Sequence, residues 1–253
     1  DKEDKSNTAL AEINNKYPYG GNNAADDSGV MTYVSICYAG ARSTQDIEHN
    51  GLTLNGVGNG TTIENIYVLE SADDAIEFFG GTVNVKNLLA VNPDDDMFDF
   101  TQGYCGTLSN CYGIWESGYT STEADPRGIE ADGNFDGLYP NHLRQSDFVV
   151  DGMTIVNNAA NTTDNVDRMQ DVIKIRRGAK ATIKNALVKG TGGAIDLVDM
   201  NDGKGAGNAA STISITNSLQ LTGKKLNGEA VLNEVGSNTG ADASVFGWTK
   251  YNF

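Results

Sequence analysis

The hydrophobic and polar positions of two neighbouring segments follow one pattern. Residues 61–81 read TTIENIYVLESADDAIEFFGG, and residues 82–103 read TVNVKNLLAVNPDDDMFDFTQG. In both segments an apolar-x-Asn-apolar stretch is followed by paired aspartates, an apolar-acidic-apolar triplet and a glycine. A period of about 22 residues is typical of a solenoid, in which each repeat forms one coil of the chain. Because coils stack on one another, the pattern also predicts that equivalent side chains form columns.

Two strand types recur along the chain, each with apolar residues at alternate positions, as a sheet with one buried face requires. The first type predicts an inward column of Ile63, Val85, Leu108, Val150, Ile183 and Ile215. The second type predicts inward pairs at Ile76 and Phe78, Phe98 and Phe100, Ile173 and Ile175, and Ile195 and Leu197. We therefore expect an all-β solenoid, a parallel β-helix built from a single chain.

The second strand type also predicts two outward columns of polar side chains. The position between the inward residues is occupied in successive coils by Thr53, Glu77, Asp99, Glu130, Lys174 and Asp196. The position just before each strand is occupied by Asn50, Asp74, Asp96, Arg127, Asp171 and Gly193. Acidic pairs are therefore local to a few coils, whereas the apolar columns run through most of the chain.

One asparagine recurs at the end of the first strand type. It is found at Asn65, Asn87, Asn110, Asn185 and Asn217. Asparagine tolerates the left-handed conformation that a sharp corner needs, and stacked asparagine side chains can hydrogen-bond to one another. The pattern favours a structural ladder, and the alternative is a row of amides that binds sugar.

Composition narrows the choice of partners. The chain of 253 residues has 30 glycines, four prolines and a formal charge of −16, which argues against nucleic acid or an anionic membrane and permits bound cations. No run of 18 apolar residues could span a bilayer. The first residues, DKEDKSNTAL, lack the apolar core of a signal peptide, which fits a mature secreted form or a cytoplasmic protein.

The three cysteines lack zinc-like spacing, and Cys111 falls at an inward position.

Three longer segments interrupt the repeat. Residues 116–147 form an insertion around the strand-like RGIEAD, and residues 157–171 and 199–210 follow in later coils. Long loops of solenoids tend to emerge on one face and to carry the binding surface. We expect these loops to form the walls of a cleft beside the acidic columns.

Aspartates of two successive turns offer a cation site. Strands of adjacent coils lie about 4.8 Å apart, so acids at equivalent positions become close neighbours. The oxygen ligands that Ca²⁺ prefers are then available from Asp73, Asp74, Asp95 and Asp96. The alternative is a stack of solvated turn aspartates that cap backbone amides.

The same columns offer residues for catalysis. Glu77, Asp99 and Glu130 lie on one exposed face, where paired carboxylates could serve glycoside hydrolysis. Polysaccharide lyase chemistry needs a basic residue near a cation, for which Lys174, Arg176, Arg177 and Arg127 are available. These basic residues could instead form ion pairs with neighbouring acids, and repetition alone also produces columns.

Aromatic residues cluster around the insertion. Trp115, Tyr119 and Tyr139, with Arg127 beside them, are the residues predicted to bind a ligand. Exposed aromatic rings beside polar loops can form a platform for sugar. The alternative is that the rings pack the insertion onto the solenoid.

Several motifs resemble one protein family. The segments SGVMTYVSICYAG, NGLTLNGVGNGTTIENIYV, ADDAIEFFGGTVN, DDMFDFTQGYCG and RGIEAD are similar to motifs of bacterial secreted and lipoprotein-type surface proteins. The resemblance implies a right-handed parallel β-helix with a pectate-lyase-like architecture, a secreted or surface location, and a lipid anchor in the full-length precursor. Family members have further coils before SGVMTYV. The resemblance therefore also implies that the chain is truncated or processed at its start, that residues 1–28 form a cap or a truncated lead-in segment, and that residues 29–253 form the β-helix. It implies no settled activity.

Together these observations predict a secreted or surface-displayed β-helix that acts as a binding or structural module. Polysaccharide is the expected partner and Ca²⁺ the expected cofactor. The alternative is a polysaccharide lyase or glycoside hydrolase that acts through the acidic face.

Overall fold

The computed structural model describes residues 8–41, 49–159 and 169–253, and they form a parallel β-helix. Strands β1 (Thr8–Leu10) and β2 (Pro18–Gly20) pair as an antiparallel hairpin. One parallel sheet of the described chain, the front sheet, contains β4 (Leu52–Asn55), β6 (Ile76–Phe79), β8 (Phe98–Thr101), β10 (Ile129–Asp132), β12 (Met169–Arg176), β14 (Gly193–Asp199) and β16 (Gln220–Leu221).

The second parallel sheet, the back sheet, alternates with the front sheet along the chain. In the described ranges it contains β3 (Val30–Cys37), β5 (Thr62–Leu69), β7 (Asn84–Val91), β9 (Thr107–Trp115), β11 (Asp147–Asn157), β13 (Lys180–Lys189), β15 (Thr212–Asn217) and β17 (Val231–Glu234). Short 3₁₀ segments lie at Phe135–Gly137 and Ala243–Thr249. Each coil therefore consists of one front strand and one back strand, and the solenoid predicted from the repeat is confirmed.

The register confirms most of the inward columns. Ile63 pairs with Val85, Val85 with Leu108, Leu108 with Val150 and Val150 with Ile183, and all five side chains are buried. Cys111 is buried, as its position in the repeat predicts. Phe100 of the front sheet stacks on Phe148 of the back sheet, with the ring centroids 4.1 Å apart. A continuous apolar core thus fills the space between the two sheets.

An asparagine ladder forms at the corner of the back strands. Asn65, Asn87, Asn110 and Asn185 have φ between 49° and 58°, the left-handed region. The amide of Asn87 donates to Asn65, and that of Asn110 donates to Asn87, both at 2.9 Å. Gly152 holds the same position in β11 with φ 73°. The ladder is structural, as the backbone conformation and the amide hydrogen bonds require.

The ladder does not include Asn217. Ile213 pairs with Ile183, but Ile215 pairs with Ala186, so β15 lacks the corner residue. Asn217 therefore lies opposite Val188, where its side chain accepts a hydrogen bond from the backbone of Leu219. The prediction that Asn217 joins the ladder was wrong because the last coils differ in length from the repeat.

A second length change shifts the outward columns of β14. Asp171 pairs with Asp196, and Lys174 pairs with Asp199. Asp199, not Asp196, therefore continues the column of Lys174, and Asp196 takes the place predicted for Gly193. Val198 is buried opposite Ile173, whereas Ile195 is only half-buried. The prediction had assumed a coil shorter than the one the chain forms here.

The loops leave the front sheet at both ends of its strands. Residues 116–128 precede β10 and residues 133–146 follow it, so the predicted insertion 116–147 is two loops on either side of one strand. The loop at residues 200–211 follows β14 on the same side as residues 133–146. Residues 160–168 of the loop predicted at 157–171 lie outside the described residues. The outer face of the front sheet therefore lies between two rows of loops.

The chain before β3 lies along the side of the solenoid. The ring of Tyr19 contacts Phe79 with a centroid distance of 6.4 Å, and its hydroxyl donates to Gln102 at 2.8 Å. The carbonyl of Ala24 accepts from the backbone of Asn59 at 2.9 Å. Residues 1–7 of the predicted cap lie outside the described residues. In the part that the structure describes, these contacts lie beside the first coils, and the capping role of residues 1–28 stays a prediction.

Candidate functional site

The front sheet brings the predicted catalytic acids into one column on its outer face. Glu77 pairs with Asp99, Asp99 with Glu130, and Glu130 with Lys174. The turn before each strand adds a second column, which in the same coils runs Asp74, Asp96, Arg127 and Asp171. In the coils of β6 and β8 the two columns contain only acids, and we call this the lower part. From β10 onwards acids and bases alternate, and we call this the upper part.

The lower part is an acid cluster, defined here as Asp73, Asp74, Glu77, Asp95, Asp96 and Asp99. Oxygens of Asp74, Glu77 and Asp99 lie within 4.8 Å of one another, as do those of Asp73, Asp74 and Asp95. Asp74 and Asp96 are only 5% and 2% exposed. Two ionised carboxylates at 4.8 Å repel by about 3.5 kcal/mol at an effective dielectric constant of 20. The cluster therefore needs protons or a cation.

Burial shifts the ionisation of the cluster. Loss of hydration, and secondly the charge of a neighbouring carboxylate, raises the pKa well above its usual range for Asp74, Glu77, Asp95, Asp96 and Asp99. For Glu77 a hydrogen bond from the Asn50 amide, at 2.6 Å, opposes the rise. Because all five pKa values are raised, the folded protein favours the protonated carboxyls over the ionised ones.

The described residues form few contacts with five of these carboxyls, those of Asp74, Glu77, Asp95, Asp96 and Asp99. No Lys or Arg of the described chain forms an ion pair with Asp74, Glu77, Asp95, Asp96 or Asp99. One carboxyl oxygen each of Asp95, Asp96 and Asp99 is buried without a hydrogen bond. The backbone of Asp96 does donate to Asp74, at 2.9 Å. Buried polar atoms are normally paired, so these oxygens call for a proton, a water molecule or a cation.

The upper part carries its own counter-ions. Arg127, 4% exposed, contacts Glu130, lies 2.6 Å from Asp125 and approaches Asp171 at 3.7 Å. Arg127 therefore neutralises acids of three neighbouring positions, and its guanidinium is engaged within the protein.

Lys174 and Arg176 continue this pairing. Lys174 contacts Asp199 and lies 3.7 Å from Asp171, whose pKa is raised by burial to about 6 even though Lys174 opposes the rise. Arg176 contacts Glu130 and donates to Asp132 at 2.7 Å. The basic residues thus pair with neighbouring acids, which was the alternative to a lyase base in the sequence analysis. Both oxygens of Glu130 are held by arginines.

The predicted aromatic platform does not form at Trp115. Its side chain is 1% exposed, and its indole nitrogen donates to the carbonyl of Pro93 at 3.1 Å. The hydroxyl of Tyr119 donates to the same carbonyl at 2.8 Å, and Tyr139 is half-buried in the loop after β10. Trp115 and Tyr119 thus pack their loop onto the turn that carries the acids, which was the alternative to a sugar platform. Ligand binding by Tyr139 and Arg127 stays a prediction.

The loop that contains Tyr119 makes several further contacts with the turn before β8, and the sequence pattern did not predict them. Ser121 donates to the carbonyl of Asp94, and the backbone of Thr122 donates to the Asp94 carboxylate at 2.8 Å. Glu116 and Asn92 exchange two hydrogen bonds of 2.9 Å. The turn that positions Asp95 and Asp96 is therefore held in place from outside the repeat.

A family model described as a pectate-lyase like beta helix domain matches residues 2–249. Comparison with curated proteins and with solved structures gives no significant match. The described part of the chain contains no helix long and apolar enough to cross a membrane.

Proposed function

The chain belongs to the family of pectate-lyase-like beta helix domains, and from this fold and its acid cluster we propose a secreted or surface-displayed binding module that takes up Ca²⁺ and, through it, carbohydrate. The observation that carries the proposal is that the oxygens of Asp74, Glu77 and Asp99 lie within 4.8 Å of one another, and that no Lys or Arg of the described chain forms an ion pair with these three residues. Family membership supports the scaffold, and the chemistry of the cluster supports the ligand.

Calcium fits the cluster better than magnesium does. Ca²⁺ accepts six to eight oxygens at about 2.3–2.6 Å, so ligands on opposite sides of the ion lie about 4.6–5.2 Å apart. The oxygens of Asp74, Glu77 and Asp99 lie within 4.8 Å of one another. Mg²⁺ demands a tighter octahedron and keeps its water more strongly. A bound Ca²⁺ would leave coordination positions for hydroxyl or carboxylate oxygens of a sugar.

We predict that calorimetric titration of chelator-treated protein with CaCl₂ gives saturable binding, with a dissociation constant between about 1 µM and 1 mM. MgCl₂ should bind more weakly. Asp74→Asn should weaken Ca²⁺ binding at least about tenfold, because it removes one charged ligand while its amide oxygen still accepts from the backbone of Asp96.

The matched control is Asp151→Asn, which removes the same charge from an exposed position on the back sheet. It should leave the affinity unchanged. Absence of binding heat at millimolar Ca²⁺, or equal losses in the two variants, contradicts the cation site. Retention of polysaccharides on immobilised protein with Ca²⁺, and their release by chelator, would support the carbohydrate part of the proposal.

Glycoside hydrolysis is the second candidate function. It is favoured by the pairing of Glu77 with Asp99, whose raised pKa values and close oxygens suit a proton donor beside a nucleophile. Retaining enzymes place the two carboxyl groups about 5–5.5 Å apart. A lyase is less favoured, because Lys174 and Arg176 are committed to ion pairs.

If the chain is a hydrolase, polysaccharide digests should show new reducing ends, and Glu77→Gln combined with Asp99→Asn should abolish them. Asp151→Asn should retain full turnover. Ultraviolet absorbance from an unsaturated product would favour a lyase instead. Binding without turnover in the wild-type protein would leave the module as the function.

A further inference from the structure

The last sixteen residues lie back across the outside of the solenoid. After β17, residues 235–237 are exposed, and residues 238–253, here called the latch, follow the asparagine ladder from β13 towards the first coils. We propose that the outer face of the back sheet is a recognition site for this latch, and that the latch of a second copy can occupy it in place of the chain's own.

Asparagines of the ladder form hydrogen bonds with the backbone of the extended part of the latch. Asn185 accepts from the backbone of Thr239 at 2.8 Å and donates to the carbonyl of Gly240 at 3.1 Å. Asn110 accepts from the backbone of Asp242 at 2.6 Å. Asparagine side chains at the corner of the solenoid therefore bind latch backbone as well as one another, which gives this face a fixed register for an added segment.

The close approach demands a glycine. Gly240 is buried with φ 71°, and a β-carbon there would lie 2.8 Å from Leu187 and 3.0 Å from the carbonyl of Met153. The threonine hydroxyl of β11, Thr154, accepts from the backbone of Ala241 at 2.9 Å. The latch thus fits the ladder through shape as well as through hydrogen bonds.

The aromatic part of the latch fills an apolar patch on the same face. Phe246 is fully buried within a cluster whose other buried members are Tyr67, Leu89, Val91, Tyr112, Ile114 and Val156. Trp248 packs edge-on against Tyr33 at 5.5 Å, and Phe253 against Tyr112 at 4.8 Å. The hydroxyl of Tyr251 donates to Glu116 at 2.9 Å. Apolar side chains that point away from the main core are therefore covered by the latch.

The segment that connects the latch to the solenoid, residues 235–237, is exposed, so this connection would not keep the latch in its site. A β-carbon at Gly236 would meet nothing within 4 Å. Contacts that define the latch are made by its own side chains and backbone, and none of them requires the connecting residues. Exchange of such an element between identical chains is a low-cost route to association.

The test uses the full chain with a specific protease site inserted between Gly236 and Ser237, cut after folding. We expect the cut latch to co-elute with the body in gel filtration. A fluorescent peptide of residues 238–253, added in excess, should replace it with a dissociation constant on the order of micromolar, seen by anisotropy. The Phe246→Ala peptide should compete at least about tenfold more weakly, since it removes the buried anchor. The Asn252→Ala peptide, altered at an exposed position, should match the wild type.

Loss of the cut latch without rebinding of the peptide would overturn the recognition site, as would equal competition by the two variant peptides. A latch that stays bound but never exchanges would overturn its replacement by a second copy. As a check on folding, the uncut protein with Phe246→Ala should show the same far-ultraviolet circular dichroism as the wild type.

Discussion

Replacing Arg127 with glutamine is expected to lower the free energy of unfolding by about 3–5 kcal/mol. The guanidinium is 4% exposed and contacts Glu130, with Asp125 at 2.6 Å and Asp171 at 3.7 Å. Removing one member of a buried ion pair leaves the other members charged in a poorly hydrated site, which costs far more than an exposed pair contributes. Urea unfolding followed by circular dichroism measures the change.

The control for this substitution is Lys180→Gln. Lys180 pairs with Asp147 at 3.0 Å, and the two side chains are 35% and 54% exposed, far more than that of Arg127. Exposed pairs contribute about 0–1 kcal/mol, so this variant should unfold close to the wild type. Similar losses in both variants would show that Arg127 is not the buried counter-ion that the contacts indicate.

Without added cations, the protein is expected to lose stability as the pH rises from about 5 to 8. The carboxyls of the acid cluster have pKa values raised by burial, and Asp171 has a pKa of about 6. A raised pKa means that the folded state holds protons that the unfolded chain releases at lower pH. The stabilising contribution is therefore complete below the ordinary aspartate range and is lost as the pH rises through the folded pKa, at about 1.4 kcal/mol per pKa unit.

Unfolding midpoints in chelator across this pH range measure the effect. Saturating Ca²⁺ should raise the stability most at high pH, by about 2.7 kcal/mol when its free concentration is 100 times the dissociation constant. Asp74→Asn should reduce both the fall with pH and the gain from Ca²⁺, whereas Asp151→Asn should change neither. Stability that rises with pH in chelator would mean that the cluster is not desolvated in the folded protein.

The repeat pattern predicted the fold, and its predictions were wrong where the length of the coils changed. Ile63, Val85 and Leu108 could be aligned because the first coils have nearly equal lengths. The longer coil before β14 moved Asp199 into the column predicted for Asp196, and the missing corner residue of β15 moved Asn217 out of the ladder. Periodicity specifies equivalent positions only while the period is constant.

The columns of the site could be predicted, but the partners of each side chain could not. Register placed Glu77 beside Asp99, whereas the choice of Arg127 for Glu130 and Asp125 depends on loops outside the repeat. The burial of Trp115 did have a signal, because alternation from Cys111 places it on the inward side. No sequence signal predicted the latch, because residues 238–253 do not share the repeat and their docking depends on distant strands.

The path of the latch also bears on how the molecule responds to force. Its last residue, Phe253, packs against Tyr112 of β9, well below the coil from which the latch departs. Residues 8–28 likewise contact the first coils, through Tyr19 and Phe79. Tension applied between residues 8–28 and Phe253 is therefore expected to detach the latch, beginning at its aromatic residues and moving towards the last coil, before any coil opens. The extension released would be that of the latch alone, so the solenoid behind it would stay closed.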